Sequence, residues 1–108
     1  MPRRPEPRRG EIWLVRLDKI RPAVVLTRDP MGSFLNSLLV APVTSTDREI
    51  PAQIELTAAD GVKQRSYAAL DSATNALIAN FVRKIGTVGP STMDRICGAL
   101  AFTVACNR

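Results

Sequence analysis

Arg21 and the hydroxyl run Thr44-Ser45-Thr46 are the residues of this chain best fitted to chemistry, and the group they fit is a phosphodiester. A guanidinium is a planar fork that contacts two phosphate oxygens at once and stays charged at any working pH. A neighbouring hydroxyl can donate to a further oxygen. The chain has no histidine, which excludes the paired-histidine proton transfer that serves many nucleases near neutral pH. Its two cysteines, Cys97 and Cys106, do not make up the ligand set of a zinc site, and no carboxylate cluster suggests magnesium. No cofactor or metal is expected. Phosphoryl chemistry here must come from arginine, hydroxyls and carboxylates. Arginine, with a pKa above about 12, is a poor base, so the role expected of Arg21 is electrostatic.

Further candidates are spread along the chain. Asp71-Ser72 pairs an acid with a hydroxyl, and Asp71 could orient Arg21, read a base edge, accept a proton or cap a turn at Ala73-Thr74-Asn75. Arg48, Lys63 and Arg65 lie in or beside loops, and Lys19 precedes Arg21 by two residues. Taken singly, each is ordinary. Arginine at a strand start is commonly a solvated charge, and threonine after a strand is commonly a turn former.

The elements that must position these groups are short strands. Glu11 to Leu17 is an apolar run with charges at its edges. Pro22 opens a second run, Ala23 to Thr27, where a missing N–H costs least. Residues 28–37 hold loop formers, and Leu38 to Val43 follows as a third strand, with Thr44 just beyond its end. Pro51 begins a fourth, in which Ala52, Ile54 and Leu56 face one way and Gln53 and Glu55 the other. Ala59-Asp60-Gly61 reads as a turn, Ser66 to Leu70 as a fifth strand and Phe81 to Val88 as a sixth. Gly89-Pro90 then breaks the chain and Ser91 starts a helix. Ser91 and Asp94 have the spacing of a capping box. Met93, Ile96, Cys97, Leu100 and Val104 form its apolar stripe, with Cys97 as a small core residue. Five or six strands and one helix indicate a mainly β fold with a C-terminal α-helix, a small bent barrel.

With 108 residues, 45% of them hydrophobic, the chain is one domain with a modest core. It has no apolar run of membrane-spanning length and no secretory h-region in its first ten residues, so a cytoplasmic protein is expected. Cys97 and Cys106, nine residues apart on one helix, would point in opposite directions roughly 13 Å apart, which excludes a bridge within it. The net charge of +5 is concentrated in the tail MPRRPEPRRG, which carries four arginines against one acid. Residues 1–9 are expected to be a flexible basic tail, kept from helix by three prolines, and residues 10–108 the folded domain. The rest of the chain is only weakly basic, so bulk charge does not establish a polyanionic partner.

The segments RGEIWLVRLD, RPAVVLT and LLVAPVTST, in that order and spacing, resemble the MazF/PemK/Kid family of toxin endoribonucleases from type II toxin–antitoxin systems. The resemblance runs from about Gly10 to the C-terminal helix. It implies the SH3-like barrel of the MazF/CcdB type. It also implies metal-independent RNA cleavage by 2′-OH attack, giving 2′,3′-cyclic phosphate and 5′-OH ends. Arg21 and Thr44 match the family's catalytic arginine and threonine, and Ser45 and Asp71-Ser72 match substrate contacts, with serine where relatives often carry glutamine. Lys19 and Arg48 join them as expected RNA-binding residues. A homodimer, an inhibitory MazE-like antitoxin and translation inhibition are further implications. Relatives commonly carry a long loop before the RPAVV segment, but here only Lys19 and Ile20 separate Asp18 from Arg21. That short link is expected to leave the cleft clear for structured RNA. Two other readings compete. A CcdB-like gyrase-binding toxin would carry an aromatic C-terminal end, whereas this chain ends Ala105-Cys106-Asn107-Arg108. A non-catalytic RNA-binding barrel would need stacking aromatics that are scarce here.

Overall fold

The computed structural model describes residues 5–29 and 35–104. Within the described residues seven strands precede one α-helix: β1 Glu11–Arg16, β2 Ile20–Val25, β3 Ser37–Thr44, β4 Gln53–Leu56, β5 Ser66–Ala69, β6 Thr74–Leu77, β7 Phe81–Thr87 and α1 Pro90–Thr103. They form an antiparallel sheet in the order β4-β5-β3-β2-β1-β7, with β6 pairing β3. The mainly β fold with a C-terminal helix is the architecture expected. Among the described residues, no helix is long and apolar enough to cross a membrane.

β2 and β3 are the spine, and both faces of each are covered. Ala23, Val25, Leu38 and Val40 enter one apolar cluster, closed by Val15, Ala76, Ile78 and Phe81. Their alternating neighbours Val24, Ala41 and Val43 enter a second, which α1 covers through Ile96 and Ala99. Burial on both faces is why these strands read as unbroken apolar runs and not as alternating ones. In the first cluster Trp13 meets Phe81 edge to face, with ring centroids 5.8 Å apart. An aromatic pair in that geometry contributes about 1 kcal/mol beyond its buried area.

Several local expectations are corrected. β2 begins at Ile20, so Pro22 lies inside the strand and Arg21 belongs to it. Proline is tolerated there because the ladder to β3 starts only at Ala23. A seventh strand, β6, occupies Thr74–Leu77, where a turn was expected; its polar start Thr74-Asn75 hid it. Gln53 is buried, not outward. The helix takes Gly89 as N-cap and Pro90 as its first residue, with no side-chain cap of its own, so Ser91 and Asp94 form no capping box. Cys97 is half-buried and Val104 exposed, while Thr92 and Ala99 lie buried on the helix. Cys106 and the chain end at Arg108 lie outside the described residues, as do Arg3 and Arg4.

The helix cap comes instead from Asp60, which is 1% exposed. Its carboxylate accepts the Gly89 N–H at 2.8 Å and the Thr92 hydroxyl at 3.3 Å. It also accepts the N–H of Thr57 at 2.9 Å and the Thr57 hydroxyl at 3.3 Å. Asp60 reaches this position because Gly61, at φ +89°, meets Gly86 backbone to backbone. A Cβ on Gly61 would stand 2.9 Å from the Gly86 Cα. The chain ahead of β1 is also tied down: Pro7 is buried, Arg9 N–H donates to Asp29 Oδ1 at 3.1 Å, and the Arg9 guanidinium donates to Leu26 O at 3.4 Å.

Candidate active site

Ladder arithmetic brings the two principal candidates together. β2 and β3 pair with Ala23 opposite Pro42 and Val25 opposite Val40. Continued two residues outward, that register sets Arg21 across from Thr44, with both side chains on one face. On its other side β3 pairs with β6 up to Val40 and with β5 from Val43. Ala41 and Pro42 have no partner there, and Pro42 has no N–H to offer one. The chain between β5 and β6 folds into a 3₁₀ turn, Leu70–Ser72. This interruption opens a cleft of ≈ 400 Å³ whose walls include Arg21, Pro42, Thr44, Thr46, Arg48, Ser72 and Thr74.

Both cleft arginines have their forks filled by carboxylates. Arg21 donates from Nε and Nη2 to Asp18 at 2.8 and 2.9 Å. Arg48 donates from Nη1 and Nη2 to Asp71 at 3.1 and 2.9 Å. Hydrogen bonding to Arg21 lowers the Asp18 carboxyl to about 2, and the same bond raises the Arg21 guanidinium. Hydrogen bonding from Arg48 likewise lowers Asp71. Both carboxylates are thus ionised at any working pH and are weak proton acceptors. Asp71 neither orients Arg21 nor caps the next turn; it staples the Leu70–Ser72 turn to the loop after β3.

That loop is held from beneath. The Gln53 side chain accepts the Arg48 N–H at 2.8 Å and donates to the Thr46 carbonyl at 3.0 Å. Asp47 Oδ1 accepts the Glu49 N–H at 2.8 Å while Glu49 adopts a left-handed φ of 54°. Thr44 Oγ1 accepts the Thr46 N–H at 3.2 Å. A hydroxyl used as acceptor keeps its own proton, so Thr44 can still donate into the cleft.

Of the residues singled out in the sequence, Arg21, Thr44, Arg48 and Ser72 line this cleft, and Asp71 joins it through Arg48. Ser45 and Lys19 are exposed beside it and do not line it, nor do Lys63 and Arg65. Arg65 pairs with Glu55 at 3.1 Å. Thr46, named in the hydroxyl run, lines the cleft too, while Asp18, Gln53 and Thr74 were missed. Asp18 had a signal, a carboxylate three residues before an arginine across a tight turn, and Gln53 had one as an amide between apolar neighbours. Thr74 had none. Among the described residues, no three histidine, cysteine or acidic side chains gather as a metal site would require.

Comparison with known proteins follows the same lines. The family model described as PemK-like, MazF-like toxin of type II toxin–antitoxin system matches residues 8–104. The chain is 37% identical over 105 residues to the probable endoribonuclease MazF5 of Mycobacterium tuberculosis, covering 94% of this chain and 96% of that protein. It is 30% identical over 101 residues to the probable endoribonuclease MazF2 of the same organism, covering 92% and 99%. The solved structure of Mycobacterium tuberculosis toxin MazF-mt6 superposes with a TM-score of 0.86 at 26% identity, covering 91% of this chain and 99% of that one.

Proposed function

The chain belongs to the PemK-like, MazF-like toxins of type II toxin–antitoxin systems, and from that premise we propose that it is an endoribonuclease working through Arg21 and Thr44 without a metal ion. The observation that carries the reading is the shared face of the β2–β3 register, which supports one phosphate being held by both side chains. In this reaction the ribose 2′-oxygen forms a bond to phosphorus and the bond to the 5′-oxygen breaks. The 2′-OH loses a proton and the leaving 5′-oxygen gains one. Products are a 2′,3′-cyclic phosphate and a 5′-OH. The Arg21 fork faces two phosphate oxygens, whose charge grows in the phosphorane, and the Thr44 hydroxyl donates to the same group. The cleft carboxylates are too weakly basic to carry the proton step, so most of the rate enhancement is assigned to charge stabilisation. Ser72 and Thr74 on the opposite wall contact bases, Arg48 the adjacent phosphate, and Lys19 and Ser45 the strand as it leaves.

The protein acts in the cytoplasm as a homodimer that halts translation, and a cognate MazE-like antitoxin silences it; family membership supports these assignments. The decisive experiment is digestion of total RNA in EDTA with mapping of the new 5′ ends. Cleavage with 5′-OH ends that disappears in Arg21→Ala and Thr44→Ala is the expected outcome. A strict magnesium requirement with 5′-phosphate ends would replace this mechanism by another.

A further inference from the structure

We propose that Asp18 is a displaceable occupant of the Arg21 phosphate site, holding the guanidinium fork toward the cleft until RNA takes its place. The inference rests on the cleft being the RNA site. Its geometric basis is the bidentate pair: two carboxylate oxygens sit on Nε and Nη2 at 2.8 and 2.9 Å, which is how a phosphate meets the same fork. Both side chains line the cleft.

Position separates Asp18 from the other carboxylate in the cleft. Asp71 bridges elements 23 residues apart and is 33% exposed, so its loss would open a wall. Asp18 lies at the tip of the turn between β1 and β2, where Leu17 N–H donates to Lys19 O at 3.0 Å. Its side chain is 68% exposed and, among the described residues, bonds within its own hairpin, at a spacing of three residues. It can swing into solvent without uncovering any apolar surface. Exposed pairs of this kind are weak, and weakness is what an occupant must have if a phosphate is to displace it. While paired, it also keeps a long flexible side chain aimed at the place where the phosphate arrives.

Asp18→Asn keeps the size of the side chain and removes its charge. The test measures binding of the mapped RNA target made with a 2′-deoxy sugar at the scissile nucleotide, for wild type, Asp18→Asn, Arg21→Ala and the double variant. Asp18→Asn is expected to bind about 2- to 5-fold more tightly than wild type, and the gain is expected to vanish when Arg21 is alanine. On cleavable RNA its KM falls while kcat also falls, a split that a loss of structure would not produce. Unchanged or weaker binding by Asp18→Asn, or a gain that persists with Arg21→Ala, would overturn the inference. If Arg21→Ala alone binds and cleaves as wild type does, the cleft itself has been misread. Normal dependence on Arg21 with no Asp18 effect removes only the present inference.

Discussion

At the scale of single residues, the proposed mechanism asks for shape as much as for charge. Lysine at position 21 would keep the cation but replace a planar fork with a point charge. Arg21→Lys is therefore expected to lose on the order of 100-fold in kcat, close to the loss on removing one charge-stabilising donor. In the same proposal Thr44 serves as a hydroxyl donor, and its oxygen already accepts the Thr46 N–H. Thr44→Ser should keep most activity, whereas Thr44→Val, nearly the same shape without the donor, should fall about as far as Arg21→Lys. Single-turnover cleavage of one oligonucleotide ranks the three variants, and an active Thr44→Val would remove the hydroxyl from the mechanism.

At the scale of elements, Asp60 joins the Ala58–Asp60 turn to the start of α1, and α1 covers the core beneath β2 and β3. Burial pushes its carboxyl up, but hydrogen bonds from the Gly89 and Thr57 N–H groups and from the Thr92 and Thr57 hydroxyls outweigh burial and leave it lowered. A lowered carboxyl binds its proton more weakly folded than unfolded. The stability it confers is therefore complete above the ordinary aspartate range, near pH 4, and is lost as pH falls through the lower folded value. Asp60→Ala leaves buried donors without acceptors and is expected to cost about 2–3 kcal/mol at pH 7. Asp60→Asn should cost less and should flatten the acid limb of the stability curve. Urea unfolding at pH 7 and at pH 3 checks both; an unaltered acid limb in Asp60→Asn would show that another carboxylate governs it.

At the scale of the whole molecule, we propose that charge and loop length set how RNA approaches. The net +5 is concentrated ahead of β1. Arg9 is engaged with the body, while the Arg8 side chain is exposed. We propose that Arg3, Arg4 and Arg8 add phosphate contacts to bound RNA. Replacing Arg3, Arg4 and Arg8 by glutamine spares the buried Pro7 and the bonds that Arg9 makes. It should lower the slope of log affinity against log salt by about 0.7 for each phosphate no longer neutralised; an unchanged slope would make the arm a bystander. The β1–β2 turn is short, with Arg16 paired to Ile20, and itself adds no flap beside the cleft. A hairpin whose loop carries the target should therefore be cut faster than an unstructured strand of the same sequence, since bases in such a loop are already unstacked. Equal or slower cutting of the hairpin would show that the short turn does not select folded RNA.

What the sequence alone determined is what depends on neighbours along the chain. Doubly buried strands announce themselves as apolar runs, as Ala23 to Val25 and Leu38 to Val43 do. A glycine–proline break followed by apolar residues at helical spacing places α1. The order of segments, through the family it resembles, singled out Arg21 and Thr44 as candidates. Tertiary structure decided everything that couples distant positions. The helix cap comes from Asp60, 29 residues before Gly89, and displaces the local Ser91–Asp94 spacing because a buried carboxylate with several donors outweighs an exposed box. Asp71 was drawn to Arg48, which no spacing rule connects to it. Gln53 turned inward because the loop above it leaves an N–H and a carbonyl that one amide, as acceptor and donor, satisfies together. Strand periodicity reports which face a residue takes, but partners across a sheet are set by register, and register exists only once the strands have met.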